Sequence, residues 1–256
     1  MTKILLVGCG KMGGALLKGW SKNSAYTIST LDPHVDDADY KSAAEITSTY
    51  DVMVLAVKPQ VMTETLASLK SIIAPTTLLL SIAAGKTIAF FENKVGENQP
   101  IIRAMPNTPA LVNKGISVLC GNKACTAHHR QSALDLLASV SNTAWIDDEY
   151  LMDAVTALSG SGPAYVFHLI EAMGDAGKAA GLPAALAENL ARQTVIGAAA
   201  LAEDQSSFSA ATLRQNVTSP GGTTEAALKI LMADDGLTSL MTRAVLAAKT
   251  RGQELA

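Results

Sequence analysis

Three glycines near the start of the chain have the spacing of a phosphate-binding loop. They lie in Gly8-Cys9-Gly10-Lys11-Met12-Gly13, directly after the apolar run Ile4 to Val7 and before a helical pattern that starts at Ala15. The first glycine permits a tight turn, the second lets the backbone approach a pyrophosphate, and the third lets the helix pack closely. The helix N-terminus offers free N–H groups to the phosphates. We therefore predict a dinucleotide cofactor contacted by Gly8, Gly10, Lys11, Met12 and Gly13.

An acidic residue ends the second apolar run. Asp32 follows Tyr26 to Leu31, close to the position where a carboxylate accepts hydrogen bonds from the adenosine ribose hydroxyls. Such a carboxylate repels a 2′-phosphate, although Lys11, His34 and Lys41 would offset part of the repulsion. The pattern favours NADH and leaves NADPH open. The alternative is that Asp32 is a turn residue before a proline.

Three further loops follow strand-like runs. They are Ala56-Val57-Lys58-Pro59, Ser81-Ile82-Ala83-Ala84-Gly85 and Arg103-Ala104-Met105-Pro106-Asn107-Thr108-Pro109. Ligands of open parallel sheets bind beyond the carboxyl ends of the strands, so these loops can line the cofactor. Ala84 leaves room for the nicotinamide ribose, and two prolines fix the backbone around Asn107. Lys58 is equally consistent with a solvated surface lysine.

The elements that position these residues change character halfway along the chain. Strand-like runs alternate with helical stretches up to about residue 148, which predicts a parallel sheet with crossover helices. From about Glu149 the chain is rich in Ala, Leu and Gly, with helix breaks near Gly160 to Pro163, Gly181 to Pro183 and Ser219 to Gly222. We expect an α/β protein with a Rossmann-like domain at 1–148 and an all-helical domain at 149–256.

Small residues recur on several faces of the stretch from Ala172 to Ala202. Small side chains let helices approach closely, and so few charges on long helices indicate burial on more than one side. One alternative is an ordinary pair of core helices. We favour a dimer interface, because a domain of about 100 residues has limited interior in which to bury them.

Composition argues against several classes of protein. Hydrophobic residues make up 48% of the 256 residues, charged residues 17%, and the net charge is −3, so we expect no nucleic-acid partner. The first apolar run is too short for a signal peptide or a membrane span. We therefore predict a cytoplasmic protein without a membrane partner.

The metal-ligating residue types are poorly arranged for a metal site. Cys9, Cys120 and Cys125 form no even disulfide framework and lack a ligand set at metal spacing, so free thiols are expected. His128 and His129 are adjacent in a helical stretch and would point about 100° apart. We predict no metal.

Together these segments resemble the pyrroline-5-carboxylate reductase family. Nearly the whole chain is spanned, in the family's order, by the matching segments Gly8 to Gly14, Ala56 to Pro59, Ser81 to Gly85, Arg103 to Val112, Val155 to Phe167 and Asn216 to Glu225. The Ser-Pro-Gly-Gly-Thr-Thr string in the last segment is the most specific, because it is not a generic nucleotide-binding string.

The resemblance implies reduction of 1-pyrroline-5-carboxylate to L-proline by NADH or NADPH, the last step of proline biosynthesis. It also implies a helical domain that interlocks with its partner's in a homodimer, often assembled further into a ring. Matching positions place Lys58, Ala84 and Asn216 at the cofactor and Glu149, Thr223 and Thr224 at the imino acid. The sequence departs from the family at two points, both at the adenosine end of the expected cofactor pocket. The family commonly has a small hydroxyl residue in place of Asp32, and it usually has more residues between that position and Tyr50.

The segment Gly221-Gly222-Thr223-Thr224 opens a predicted helix, Glu225 to Met232. Its successive N–H groups form an anion cradle that suits the carboxylate of the implied substrate, and the Thr224 hydroxyl makes that residue the catalytic candidate. The alternative role is a helix N-cap. The resemblance implies that Glu149 stabilises the iminium, although the residues alone show only one of three consecutive acids.

Two other functions share parts of this pattern. A 3-hydroxyacid dehydrogenase has the same two-domain plan but needs a lysine shortly after a Gly-Ser-Gly segment, and after Gly162 none occurs before Lys178. A regulatory protein that senses NAD(P)H without turnover would not need the Ser-Pro-Gly-Gly-Thr-Thr loop.

Overall fold

The computed structural model describes residues 1–21 and 23–255, and across these the chain divides into two compact units. Unit 1 comprises residues 1–161 and the C-terminal residues from Ala248, and unit 2 comprises Gly162–Ala247. This division by contacts falls at Ser161, and the domain boundary after residue 148 stays a prediction.

The described part of unit 1 contains a seven-stranded sheet in the order β2-β1-β3-β4-β5-β6-β7. Its strands are β1 (Thr2–Val7), β2 (Tyr26–Leu31), β3 (Val52–Leu55), β4 (Leu78–Ser81), β5 (Ile101–Met105), β6 (Gly115–Gly121) and β7 (Ser141–Trp145). The first five strands run parallel, as the sequence predicts. Strand β6 runs antiparallel to β5, and β7 runs parallel to β6.

Helices cover both faces of this sheet. They are α1 (Lys11–Trp20), α2 (Met62–Leu69), α3 (Ile88–Val95) and α4 (Ala127–Ala138), followed by the short α5 (Met152–Val155). Alternate residues of β1 enter opposite apolar clusters: Leu5 packs with the cluster under α2 and α3, and Leu6 with the cluster under α1 and α4. Burial on both faces explains why the strands read as continuous apolar runs.

The connection from β2 to β3 departs from the predicted crossover helix. It contains only a short 3₁₀ helix, Ala43–Glu45, among the residues described there. A bridge pairs Leu31 with Tyr40, so the chain folds back along the end of β2 before it proceeds to β3. The segment therefore forms an ordered loop at the edge where cofactor binding is predicted.

The helices of the remaining chain are α6 (Gly162–Ala179), α7 (Ala184–Asp204), α8 (Ala210–Asn216), α9 (Thr223–Leu231) and α10 (Leu237–Leu255). The predicted breaks near residues 160, 181 and 220 precede α6, α7 and α9, whereas the breaks at 205–209 and 232–236 were not predicted. In unit 2, α6 and α7 approach closely because their contact is built from small residues: a Cβ on Gly177 would lie 3.0 Å from that of Ala187. The predicted fold class, a Rossmann-like sheet followed by a helical region, is confirmed.

Candidate functional site

The glycine loop lies where the strand order reverses. Strand β1 stands between β2 and β3, so the chain crosses from one side of β1 to the other at this edge, and open α/β sheets bind ligands at such switch points. Gly8 has φ +97°, which a residue with a side chain rarely adopts. A Cβ on Gly13 would lie 2.1 Å from the Gly8 carbonyl oxygen, whereas one on Gly10 would meet nothing within 4 Å. Gly10 is thus the position that leaves space for a ligand.

The Asp32 carboxylate is fixed by two backbone amides. The Cys9 N–H donates to Oδ2 at 2.8 Å, and the His34 N–H donates to Oδ1 at 2.9 Å. The first bond ties the end of β2 to the glycine loop. Burial, and then the carboxylates of Asp32 and Asp39, raise the pKa of the Cys9 thiol, while Lys41 acts in the opposite direction.

The loop after Asp32 is held by its own polar side chains. The backbone N–H and hydroxyl of Thr30 donate to Asp39 Oδ2 at 2.8 and 2.9 Å, and the Asp39 N–H donates back to the Thr30 hydroxyl. Lys41 Nζ donates to the carbonyls of Val35 and Asp36. Lys41 therefore stabilises the loop with the ammonium group that the sequence offered as a phosphate ligand.

A cavity of about 700 Å³ adjoins Asp32. Five predicted cofactor residues line it: Gly8, Gly10, Asp32, Val57 and Lys58. His34 and Lys41, the candidate partners of a 2′-phosphate, also line it, as do polar residues that the sequence did not indicate, namely Ser42 and, along α2, Glu64, Thr65 and Ser68. Polar residues on an exposed helix face resemble ordinary solvated positions, so only the fold could reveal that this face lines the cavity.

The other predicted cofactor residues of unit 1 lie outside this cavity. Lys11 lines a cavity of about 450 Å³ on the other side of the loop, and Met12 packs against the apolar cluster under α1 and α4. Pro59 begins a 3₁₀ helix, and Ala84 is exposed in the loop between β4 and α3. Both loops are at the carboxyl edge of the sheet, where the sequence placed them.

Asn107 braces two segments of unit 1. Its side-chain amide donates to the Ser159 carbonyl at 3.2 Å, and its carbonyl accepts from the Ile116 N–H at 2.9 Å. Ser159 belongs to a π-helical turn, Thr156–Gly160, within the Thr-Ala-Leu-Ser-Gly string. Such turns often occur at functional sites, and here Asn107 anchors one to the start of β6.

Glu149 is engaged within unit 1. Its Oε1 accepts from Arg103 Nη1 at 2.7 Å and from the Ile88 N–H at 2.8 Å. The Arg103 side chain is only 4% exposed and that of Glu149 28%. Glu149 therefore joins Arg103 of β5 to the start of α3. The sequence did not indicate this ion pair.

The predicted substrate loop lies in unit 2. The Gly221 N–H donates to Glu225 Oε2 at 2.8 Å, and the Gly222 N–H donates to the Ser219 carbonyl at 3.0 Å. Helix α9 begins at Thr223, two residues earlier than predicted, so the amides of Thr223 and Thr224 belong to its first turn, where intrahelical partners are lacking. Asn216 is the last residue of α8 and is exposed.

Metal-ligating and thiol side chains in the described residues form no further site. Within 1–21 and 23–255, no group of three His, Cys, Asp or Glu side chains is arranged to hold a metal ion. The three cysteines in this part of the chain are free thiols. No helix of the described chain combines the length and apolar character needed to cross a bilayer.

Family models match both parts of the chain. Residues 3–85 match the family described as NADP oxidoreductase coenzyme F420-dependent, and residues 149–255 match pyrroline-5-carboxylate reductase dimerisation. The fold and the cavity thus define an NAD(P)H-dependent oxidoreductase with an oligomerisation domain.

Full-length relatives specify the family. The pyrroline-5-carboxylate reductase of Pseudomonas aeruginosa is 41% identical, and the match covers 99% of this chain and 97% of that protein. The chain belongs to the pyrroline-5-carboxylate reductase family. Structures of such enzymes from Coxiella burnetii (TM-score 0.92, 34% identity, 100% and 98% coverage) and from Plasmodium falciparum, with NADP bound (0.83, 32%, 99% and 98%), are similar to this one.

Proposed function

We propose that this chain transfers hydride from NADH or NADPH to the C=N bond of 1-pyrroline-5-carboxylate and so completes proline biosynthesis. The observation that carries the proposal is the match to the pyrroline-5-carboxylate reductase of Pseudomonas aeruginosa, which covers 99% of this chain at 41% identity. The cavity beside Asp32 supports the cofactor half, and the Ser-Pro-Gly-Gly-Thr-Thr segment at the start of α9 supports the substrate half.

The residues beside the cavity fit a dinucleotide. Gly10 leaves open space at the N-terminus of α1 for a pyrophosphate, and Asp32 presents fixed carboxylate oxygens with unused lone pairs for the ribose hydroxyls. When bound, the reduced nicotinamide supplies the hydride. We assign further cofactor contacts to residues of the surrounding loops and of α8: Lys11, Met12, Gly13, Val57, Lys58, Pro59, Ala84, Asn107 and Asn216.

The substrate part of the proposal concerns Gly221 to Thr224. Since Glu225 and Ser219 engage the first two amides, the Thr223 and Thr224 N–H groups are the ones that would bind the substrate carboxylate. The Thr224 hydroxyl would bond the imino acid and keep the ring in place for reaction. A substrate role for Glu149 has less support, because its Oε1 already holds Arg103 and the Ile88 amide.

We also propose that NADH is used at least as well as NADPH. The Asp32 carboxylate faces the cavity, Asp39 lies in the same loop, and Lys41 is engaged by backbone carbonyls. A 2′-phosphate at the ribose position would therefore be repelled by the Asp32 carboxylate, and Lys41, which lines the same cavity but is held at the Val35 and Asp36 carbonyls, would offset part of that repulsion.

Assembly, location and domain boundary complete the proposal. The dimerisation-family match and the exposed apolar residues of α6 and α7 support a homodimer, which can build a larger ring. The family match that begins at residue 149 supports a helical domain over 149–256. A cytoplasmic location remains a prediction from the sequence.

The test follows the absorbance of NADH or NADPH with purified protein and racemic pyrroline-5-carboxylate. We expect cofactor oxidation that requires both the protein and the imine. Cofactor binding without oxidation would support a sensor instead, and turnover of NAD⁺ with a 3-hydroxyacid alone would support the dehydrogenase.

A further inference from the structure

A buried cation lies in the middle of an apolar strand. Arg103 is flanked in β5 by Ile101 and Met105, which enter the apolar cluster under α2 and α3, and strand alternation directs Arg103 to that same face. In the sheet register Arg103 pairs with Ser81, the last residue of β4. The guanidinium thus lies at the level where β4 gives way to the Ile82–Thr87 loop.

One carboxylate joins this cation to the other end of that loop. Glu149 Oε1 accepts from Arg103 Nη1 at 2.7 Å and from the N–H of Ile88, the first residue of α3, at 2.8 Å. The first-turn amides of a helix have no intrahelical partner, so Glu149 supplies one. Thr87 caps the same helix by accepting from the Phe90 N–H.

The loop between these anchors contains Ala83, Ala84 and Gly85. Gly85 has φ +72°, a conformation that favours glycine, and Ala84 is exposed at the carboxyl edge of the sheet. The loop makes its own bond from the Ala83 N–H to the Ser81 hydroxyl at 3.3 Å. At its first end the Ile82 N–H also donates to the Leu55 carbonyl at 3.1 Å, and its other end is anchored at the start of α3, which Glu149 holds.

We propose that Glu149 and Arg103 are positioning residues: their ion pair fixes the start of α3 and thereby the Ala83–Gly85 loop against the nicotinamide half of the cofactor. The inference rests on the proposed function for the identity of the cofactor. It replaces the substrate contact that the resemblance implies for Glu149. It also explains a carboxylate that is largely withdrawn from solvent beside a buried strand.

The surroundings make the charge of Glu149 necessary. Arg103 Nε has no hydrogen-bond partner in the described part of the chain, so Glu149 is the carboxylate that compensates a guanidinium only 4% exposed. Burial, and then the Glu149 carboxylate, raise the pKa of the neighbouring Cys120 to about 12, while Arg103 acts in the opposite direction. Removing one partner of such a pair leaves an uncompensated buried charge.

The test compares Glu149→Gln with the double variant Glu149→Gln, Arg103→Met. In the single variant the buried cation loses its counter-charge, and we expect the Kd of NADH to rise roughly fivefold to tenfold, with the dinucleotide KM following and the imino acid KM unchanged. In the double variant the cation is gone, and the amide oxygen of the introduced glutamine can accept from the Ile88 N–H without competition. We therefore expect the NADH Kd to return towards the wild-type value.

Asp147→Asn is the matched control. It also removes one negative charge, two residues before Glu149, but from a side chain that is exposed. It should leave the NADH Kd unchanged. A rise in the imino acid KM alone, a lowered melting temperature with an unchanged NADH Kd, or no rescue by Arg103→Met would each overturn the proposal. Since NADH binding is measured without substrate, these outcomes are distinct from a wild-type protein that fails to reduce pyrroline-5-carboxylate.

Discussion

At the scale of single residues, Asp32 has the most direct consequence for function. Amides of Cys9 and His34 hold its two carboxylate oxygens, so the side chain cannot swing away from an incoming phosphate without losing both bonds. A fixed carboxylate favours a ribose diol, from which it can accept hydrogen bonds, over a 2′-phosphate, which it repels.

Replacing Asp32 with Ser should therefore shift cofactor preference. We expect the ratio of kcat/KM for NADPH to that for NADH to rise roughly tenfold, or about 1.4 kcal/mol, for a partly solvated pair of charges. Steady-state kinetics with both cofactors measure this ratio, and Asp37→Ser in the same loop is the charge-matched control. A wild-type enzyme that strongly prefers NADPH, or an unchanged ratio in Asp32→Ser, would reduce Asp32 to a turn residue.

Thr224 tests the substrate half of the proposal. This residue is exposed in unit 2 at the start of α9, and Thr224→Ala should lower kcat/KM for the imino acid by roughly 1 to 3 kcal/mol if the hydroxyl bonds the substrate. Thr242→Ala is the control, because that hydroxyl bonds a carbonyl of its own helix. Wild-type kinetics in Thr224→Ala would remove the residue from the site.

The sequence revealed residues whose role depends on local pattern. The glycine loop and Asp32 each directly follow a strand-like apolar run, so their position at the end of a strand could be recognised from the sequence. The Arg103–Glu149 pair joins positions far apart in sequence, and its one visible sign was an arginine inside the apolar run Ile101 to Met105. The hydrogen bonds from the Lys41 ammonium to backbone carbonyls could not be predicted from the residue type, because they depend on how the loop folds.

At the scale of elements, the N-terminus of α9 shows how a turn is built for close approach. Gly222 is the N-cap of this helix, and a Cβ there would lie 3.1 Å from the Ser219 carbonyl oxygen, tighter than an ordinary contact. Glu225 reaches back to the Gly221 N–H, which fixes the turn from the helix side. Together these contacts aim the first-turn amides in one direction.

Substitution of Gly222 should separate the two halves of the reaction. We expect Gly222→Val to abolish turnover, because the branched side chain displaces the turn and blocks backbone approach to the substrate carboxylate, while NADH binding stays largely intact. The milder Gly222→Ala should mainly raise the imino acid KM. Dinucleotide titration alongside steady-state kinetics gives both quantities, and equal losses in binding and turnover would contradict the assignment.

Element types followed from sequence where periodicity was strong and failed where it was weak. Strand β7, Ser-Asn-Thr-Ala-Trp, lies at the sheet edge and is too polar to stand out as an apolar run. The antiparallel direction of β6 could have been predicted, because the connection 106–114 is shorter than the dozen or so residues that a parallel crossover needs. The β2–β3 loop escaped prediction because it is closed by the Thr30–Asp39 side-chain contact, which leaves no periodic pattern in the sequence.

At the scale of the whole molecule, the exposed apolar side chains of unit 2 require an explanation. Several large ones are exposed on its helices: Val166, Phe167, Leu169, Leu186, Leu190, Ile196 and Leu201 on α6 and α7, and Ile230 and Leu231 on α9. The small residues of α6 and α7 bury only part of these helices against each other, at Gly174, Ala187 and Ala191. A second chain covering the remainder is the simplest account.

Assembly should therefore depend on helix surfaces that carry no catalytic group. Ala198 is exposed on α7, one turn before the exposed Leu201, and Ala198→Arg would place a charge on the surface where we expect a second chain to pack. We expect wild type to sediment as a dimer or larger species at micromolar concentration and Ala198→Arg to shift towards monomer, because an interface that cannot pair the guanidinium must leave it in solvent.

The matched control is Ala127→Arg, because Ala127 is exposed at the start of α4 in unit 1, and this variant should keep the wild-type mass. A wild-type protein that remains monomeric would contradict the dimer outright, whereas an unchanged mass in Ala198→Arg, with Ala179→Arg on α6 also unchanged, would show that the interface lies elsewhere on the helical domain.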